Sequence, residues 1–347
     1  MVHTVLILSQ LKVACGNLST VERIRQFLDG SWKCLLKDVT EFDDSTALQQ
    51  FARDNNVDAA IGLHAFKAGR LLIGGGLPFV IILGGTDIND CCYDAHKLSI
   101  MTQAVNEARY IVGFSSAMTN QAQKLWPELT NQKLQIIPQG IAVISKPGVT
   151  FDLLHYLRER SLIQSEVDPY IFLMVAGIRQ VKDPLYLLDA FSAWHSVQPD
   201  VFLVIIGPEL EKDLTHKLKS LINTRCRGVV YIGAWPLETA HACIAQSYAL
   251  VNSARSEGMS VSILEALQMG TPVIARNIPG NSAVITHGTT GLLFNEPQDF
   301  VDCARELMAN KDLYERLSSN GRQLIASNHS CQTEGSSYHQ LLSDIIS

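Results

Sequence analysis

The chain has 347 residues, enough for two domains of ordinary size, and its 47% hydrophobic and 18% charged residues describe a well-cored globular protein and exclude a disordered one. A formal net charge of −6 argues against nucleic acid as the main partner, while leaving room for a local basic pocket around a small anion. No stretch approaches the roughly 20 consecutive apolar residues that a membrane span needs.

The opening Met1-Val2-His3-Thr4-Val5-Leu6-Ile7-Leu8 is too short and too weakly basic for a signal peptide and reads as a first buried strand. The eight cysteines are scattered, with no C-x-x-C pair, so buried free thiols in a reducing compartment are expected and a cytoplasmic location with them. Further short apolar runs follow at 59–63, 79–83, 110–114 and 134–137. After a break come 171–176, 201–206, 229–232, 249–252, 272–275 and 291–294. Helical periodicity falls between them at 19–28, 184–195, 210–223 and 299–307. Runs that are apolar on both sides suit parallel strands covered by helices, so the fold class expected is α/β with doubly wound sheets.

The break lies at Ile144-Ser145-Lys146-Pro147-Gly148. About eleven parallel strands in one sheet would be unusually many, which favours two Rossmann-like domains. The expected division is an N-terminal domain over 1–148, a C-terminal domain over 149–321, and a helical segment over 322–347 that packs back on the first domain.

Candidate chemistry concentrates in the loops after second-domain strands. Past the run 249–252, Glu257 stands in a glycine-bearing turn and a helix is predicted over 261–269, stopped by Gly270. The amides of Met259, Ser260 and Val261 at that helix start form an anion site favoured by the dipole, and Gly258 lets the backbone approach a ligand closely. Glu257 and Glu265 then offer acceptors to sugar and ribose hydroxyls. The competing reading is a capping box over Ser262 to Glu265, with Glu257 an ordinary loop acid. A second loop carries Arg179 and Lys182 after the run 171–176, followed by Asp183-Pro184 as a helix cap. Two cations there suit a diphosphate.

These stretches carry a resemblance. EGMSVSILEALQMGTPVIA resembles the E-x7-E segment of the retaining group 1, or family 4, glycosyltransferases of GT-B fold. AGIRQVKDPLYLLDAF, LVIIGPE, VVYIGAWP and HGTTGLLF resemble the same family, as do LPFVIILGGTDIND and KLQIIPQGI more faintly in the first half. The resemblance implies a nucleotide-sugar donor, a UDP- or GDP-sugar, and an acceptor of glycan or protein class. It assigns the donor diphosphate to Arg179 and Lys182, the donor sugar to Glu257 with the amides of Gly258, Met259, Ser260 and Val261, and the ribose to Glu265. Ile232 and Gly233 would line the base pocket, and Gly16 and Asn17 would sit in the first β/α loop facing the donor. It implies retention of configuration, with the leaving phosphate assisting acceptor deprotonation.

No D-x-D motif is present, so neither metal nor cofactor is expected; Asp87-Ile88-Asn89-Asp90 has the wrong spacing. Asp87, past Gly84-Gly85-Thr86, is expected either to receive a hydroxyl on the acceptor side or only to cap its turn. His64 ends a strand and either faces a cleft or is satisfied in the core. Two other functions stay open on the residues alone: a nucleotide-sugar-binding protein without transfer activity, and a dehydrogenase or epimerase, which would lack its glycine fingerprint.

Overall fold

The structure, a computed structural model, describes residues 2–11, 16–141, 151–164 and 167–346; the predicted break at Ile144 to Gly148 lies outside them. The chain forms two compact units, Met1–Gly140 with His329–Ser347, and Ile141–Asn328.

The first unit is built on six strands: β1 (Thr4–Ser9), β2 (Lys33–Asp38), β3 (Ala59–Leu63), β4 (Phe79–Ile82), β5 (Tyr110–Gly113) and β6 (Leu134–Ile136). They lie in the order β2-β1-β3-β4-β5-β6, all parallel. β1, β3 and β4 are buried along their whole length, as apolar runs covered on both faces should be. β2 escaped prediction: KCLLKD carries charge at both ends and lies at the sheet edge, where one row of backbone groups and the side chains stay partly exposed. The chain steps outward from β1 to β2 and then returns to β3, so the order reverses between β1 and β3.

The last helix, Cys331–Ile346, packs against the helix Gly16–Leu28 within this unit. Glu334, almost wholly buried, accepts from Arg23 Nε at 2.8 Å and Nη2 at 3.1 Å, and from the Gly140 amide at 2.7 Å. Its buried charge is therefore paired and hydrogen-bonded on both oxygens, the condition under which such a group is tolerated.

The second unit has β7 (Tyr170–Val175), β8 (Val201–Ile206), β9 (Val229–Tyr231), β10 (Ala249–Asn252), β11 (Val273–Arg276) and β12 (Leu292–Phe294). Their order is β12-β11-β10-β7-β8-β9, again all parallel. An aromatic cluster anchors the core: Phe172, Phe191, Trp194 and Phe300 are buried, with the Phe172 and Trp194 rings 5.3 Å apart. The helix Val261–Met269 ends at Gly270, whose φ of +79° is the left-handed C-cap conformation. A Cβ there would also stand 2.1 Å from the Arg322 guanidinium, which bonds the Met269 carbonyl.

The described cysteines are free. Burial pushes the Cys243 thiol up to about 12 and the Cys303 thiol to about 11, so both are inert at neutral pH.

Candidate functional site

In the second sheet the order reverses between β7 and β10. A doubly wound sheet splays its loops at such a switch point, beyond the carboxyl ends of the strands, and ligands bind there. The loops after β7 and β10 are the two that carry Arg179, Lys182 and Glu257.

Backbone and side-chain bonds stitch these loops together. The Arg255 amide donates to the Val181 carbonyl at 2.9 Å, and Ser253 Oγ donates to the carbonyls of Lys182 at 3.1 Å and Asp183 at 3.0 Å. Lys182 closes a short turn, Gln180–Lys182, and its ammonium donates to Glu257 Oε1 in a close ion pair. Both side chains are mostly buried, so the pair is shielded from water and salt. Arg179 leads into this turn, its carbonyl accepting the Lys182 amide at 3.0 Å, and its Nε is buried without a partner among the described residues.

Asp183 does not cap a helix, as its place before Pro184 suggested. It adopts a left-handed conformation at φ 46°, the next helix starts only at Leu188, and its carboxylate binds Arg255 Nε at 2.7 Å and Arg276 Nη1 at 3.2 Å. Those two arginines are thereby occupied, whereas the Arg179 side chain retains an unused donor.

Glu257 Oε1 also accepts from Asn252 Nδ2 at 3.2 Å. The same amide donates to Ser260 Oγ at 3.1 Å, and Ser260 Oγ lies 3.2 Å from Ser262 Oγ. Ser260 is the N-cap of the helix Val261–Met269, but its hydroxyl is turned sideways into this network and makes no capping bond. The first-turn amides are therefore not claimed by a capping side chain, which suits an anion. Met259 is buried at this start, with Gly258 and Val261 partly exposed on either side.

Glu265 is not part of a capping box. With Ser260 as N-cap, it lies past the first turn, and its Oε1 is 3.1 Å from His241 Nε2 on the helix Leu237–Gln246. That contact is electrostatic without an aligned hydrogen bond, and both His241 nitrogens are buried without hydrogen-bond partners among the described residues. Sequence reading missed His241, because it lies on an apolar helix face with no motif around it. After β9, Gly233 holds φ +81° with open space where a Cβ would be. Its carbonyl accepts from the Gly207 amide at 2.8 Å, and Gly207 sits so close to Ala176 that a Cβ would lie 1.9 Å from the Ala176 oxygen. Glycine is required there, and it brings the loops after β7, β8 and β9 together. Ile232 is held to the sheet by its amide bond to the Ile205 carbonyl at 3.1 Å.

In the first unit, Gly16 and Asn17 form the first turn of the helix Gly16–Leu28 and not a loop; Cys15 before them lies outside the described residues. Asp87 departs from the expectation that it receives an acceptor hydroxyl. It is wholly buried, and its carboxylate accepts from the amides of Ala65 at 2.8 Å, Gly84 at 2.9 Å and Ile88 at 2.9 Å. Three amides leave little of the carboxylate for a ligand; Asp87 joins the turn after β4 to the turn after β3. Nearby His64, buried and at φ +85°, accepts the Phe66 amide on Nδ1 at 3.2 Å and places Nε2 3.2 Å from Thr86 Oγ1. With Nδ1 accepting, the ring proton belongs on Nε2. Burial pushes the imidazole below its ordinary range, against an opposing pull from the Asp87 charge.

No group of three or more metal-ligating side chains is poised for a metal among the described residues, and no helix among them is long and apolar enough to cross a membrane. Residues 158–324 match the family model described as glycosyl transferases group 1. The chain is 37% identical over 339 residues to glycosyltransferase 1 domain-containing protein 1 of Xenopus tropicalis, covering 97% of each. It is 27% identical over 199 residues to the UDP-Gal:alpha-D-GlcNAc-diphosphoundecaprenol alpha-1,3-galactosyltransferase of Escherichia coli, covering 56% of this chain and 49% of that one. In fold it is similar to Anabaena Alr3699/HepE, solved in complex with UDP and glucose, with a TM-score of 0.78 at 16% identity over 99% of this chain and 100% of that one.

Proposed function

The chain belongs to the group 1 glycosyltransferases and has the GT-B fold of two Rossmann-like domains, and from that premise we propose that it moves a sugar from a UDP- or GDP-sugar to an acceptor hydroxyl, with retention and without a metal. The observation that carries this reading is the meeting of Lys182, Arg179 and Glu257 with an uncapped helix start at the switch point of the second sheet. A nucleotide sugar presents two phosphates beside a ring of hydroxyls. Cations and amides suit the phosphates, and a carboxylate suits the hydroxyls. Solved relatives add support for the donor class, since Alr3699/HepE is also known in complex with UDP-glucose.

In this reading Arg179 and Lys182 hold the diphosphate, and the amides of Gly258, Met259, Ser260 and Val261 share its charge. Glu257 accepts from the sugar and Glu265 from the ribose, with Ile232 and Gly233 beside the base. The anomeric C–O bond to phosphate breaks as the acceptor oxygen bonds the same carbon, and the acceptor proton passes to the departing phosphate oxygen. Negative charge grows on the leaving diphosphate, so preplaced cations stabilise the transition state more than the bound donor. The acceptor, of glycan or protein class, binds elsewhere than the carboxylate of Asp87. Gly16 and Asn17 stay assigned to the donor side of the first unit.

Calorimetry against a panel of UDP-sugars, GDP-sugars and NAD, followed by donor hydrolysis in EDTA and anomeric analysis by NMR, tests the proposal. Selective sugar-nucleotide binding with EDTA-resistant turnover and a retained anomer is expected. Binding of NAD alone, or turnover that needs added magnesium, would contradict it.

A further inference from the structure

Behind Glu257 lies a chain of buried amides. Asn252 closes β10 and Asn281 lies in the short helix Pro279–Ser282 after β11; both side chains are buried, Asn281 completely. Asn281 Nδ2 donates to the Arg276 carbonyl at 3.0 Å and to Asn252 Oδ1 at 3.2 Å. Asn252 Oδ1 also accepts the Ala254 amide at 3.1 Å. With two donors fixed on its oxygen, Asn252 must turn its NH2 the other way, toward Glu257 Oε1 at 3.2 Å and Ser260 Oγ at 3.1 Å.

The orientation of Asn281 is itself determined. Flipped, its oxygen would face the Arg276 carbonyl and Asn252 Oδ1, two acceptors. In the observed orientation its Oδ1 is buried without a partner among the described residues. An unpaired buried carbonyl is a cost that an apolar side chain of similar size would not carry. What the asparagine supplies in return is an NH2 group aimed at Asn252.

The same segment is pressed against the backbone of the acid. A Cβ added at Gly280 would stand 2.1 Å from the Glu257 carbonyl oxygen, so only glycine allows this approach. Besides its ion pair with Lys182, Glu257 is thus held with its carbonyl against Gly280 and its carboxylate bonded by Asn252.

We propose that Asn281 is a positioning residue for the sugar-recognising carboxylate, acting through Asn252 to fix Glu257 and, with it, the discrimination between a sugar nucleotide and the bare nucleoside diphosphate. This rests on the assignment of Glu257 to the donor sugar. Asn281 touches no ligand itself. Its effect falls chiefly on the part of the donor that Glu257 reads, while the phosphates keep Arg179 and the helix-start amides, which Asn281 does not touch.

The test is a ratio. Affinities for UDP-glucose and for UDP, or for the pair that the donor panel selects, are measured by calorimetry on the full chain for wild type, Asn281→Ala, Asn281→Ser and Glu257→Gln. A lowered folded fraction scales both affinities alike and cancels in the ratio. The expected result is that Asn281→Ala lowers the preference for the sugar nucleotide about tenfold, the scale of a charged hydrogen bond, with UDP affinity preserved. Asn281→Ser, which keeps one donor, should restore part of it. If Asn281→Ala is too unstable to measure, Asn281→Ser carries the test, with a smaller loss of preference expected. Unchanged ratios in the Asn281 variants, beside a collapsed ratio in Glu257→Gln, would overturn this inference alone. An unchanged ratio in Glu257→Gln would overturn the sugar assignment and this inference together.

Discussion

Glu257 and Asp87 occupy similar places in the sequence: each stands close to glycine just past a parallel strand, Glu257 directly before Gly258 and Asp87 after the pair Gly84-Gly85. Their surroundings differ in kind. Glu257 keeps a cationic partner, Lys182, and one amide from Asn252, in a turn whose neighbouring helix start is uncapped. Asp87 is wholly buried and spends its carboxylate on three backbone amides. An acid held by an exchangeable side chain can trade that partner for a ligand. One held by the backbone of its own turns cannot without unfolding them. Residue type and a glycine turn therefore do not separate a binding acid from a structural one; the identity of its partners does.

The sharpest break in that comparison comes from the cation. Lys182→Ala should lower kcat by about a hundredfold or more, the scale of removing one preorganised charge from a transition state, with UDP affinity falling less. Arg179→Ala should act the same way. Initial rates with the donor chosen by the panel decide the matter, and normal kcat in both variants would return Glu257 and its neighbours to the structural class.

Asp87→Asn should produce the converse result. An asparagine there presents an NH2 group to amides that need acceptors and leaves at least one of them unpaired in the interior. A loss of about 3 kcal/mol of stability is expected, from breaking hydrogen bonds to a buried charge. Urea unfolding measures it, and donor binding by the protein that remains folded should be unchanged. A stable Asp87→Asn protein that fails only in transfer would restore the acceptor role that its burial argues against.

Glu265→Gln is the next smaller effect. Its carboxylate faces His241 and no capping amide, so the change should weaken donor binding by about 1–2 kcal/mol and leave the helix intact. A lowered melting temperature with unchanged donor affinity would place Glu265 beside Asp87 and not beside Glu257.

Periodicity and loop chemistry made the second unit legible. Its strands are two-sided apolar runs, Arg179, Lys182 and Glu257 lie on loops that the strand ends mark in the sequence, and Glu265 lies within a helix that Gly270 closes. What stayed hidden depends on pairing in space. β2 was missed because an edge strand needs no continuous apolar run. Asp183 was misread because its left-handed turn is set by Arg255 and Arg276, which lie far along the chain. Asn252, Asn281 and His241 carry no motif, and only the folded sheet brings them to the two glutamates.

The smallest expected effect separates the first unit by its response to acid. His64 and His329 are both buried there, and burial pushes each below its ordinary value of 6.5. For His64 the Asp87 charge opposes that push; for His329 the bond from Nδ1 to the Gln139 carbonyl, 2.8 Å long, opposes it. A histidine whose folded value is depressed binds its proton first in the unfolded chain. Stability is therefore complete above about 6.5 and falls as the pH drops from there toward the folded values, because the unfolded state takes up more protons. His64→Asn suits this test, since asparagine tolerates the positive φ, and His329→Asn keeps a donor near the Gln139 carbonyl. The double variant should lose less stability between pH 6.5 and 5 than wild type when urea midpoints are compared. Donor affinity, assigned chiefly to second-unit groups and to neither histidine, should show no matching change between the two proteins. Identical slopes would mean that these histidines titrate alike in the folded and unfolded chains, and that the first unit is no more acid-sensitive at His64 and His329 than the open chain.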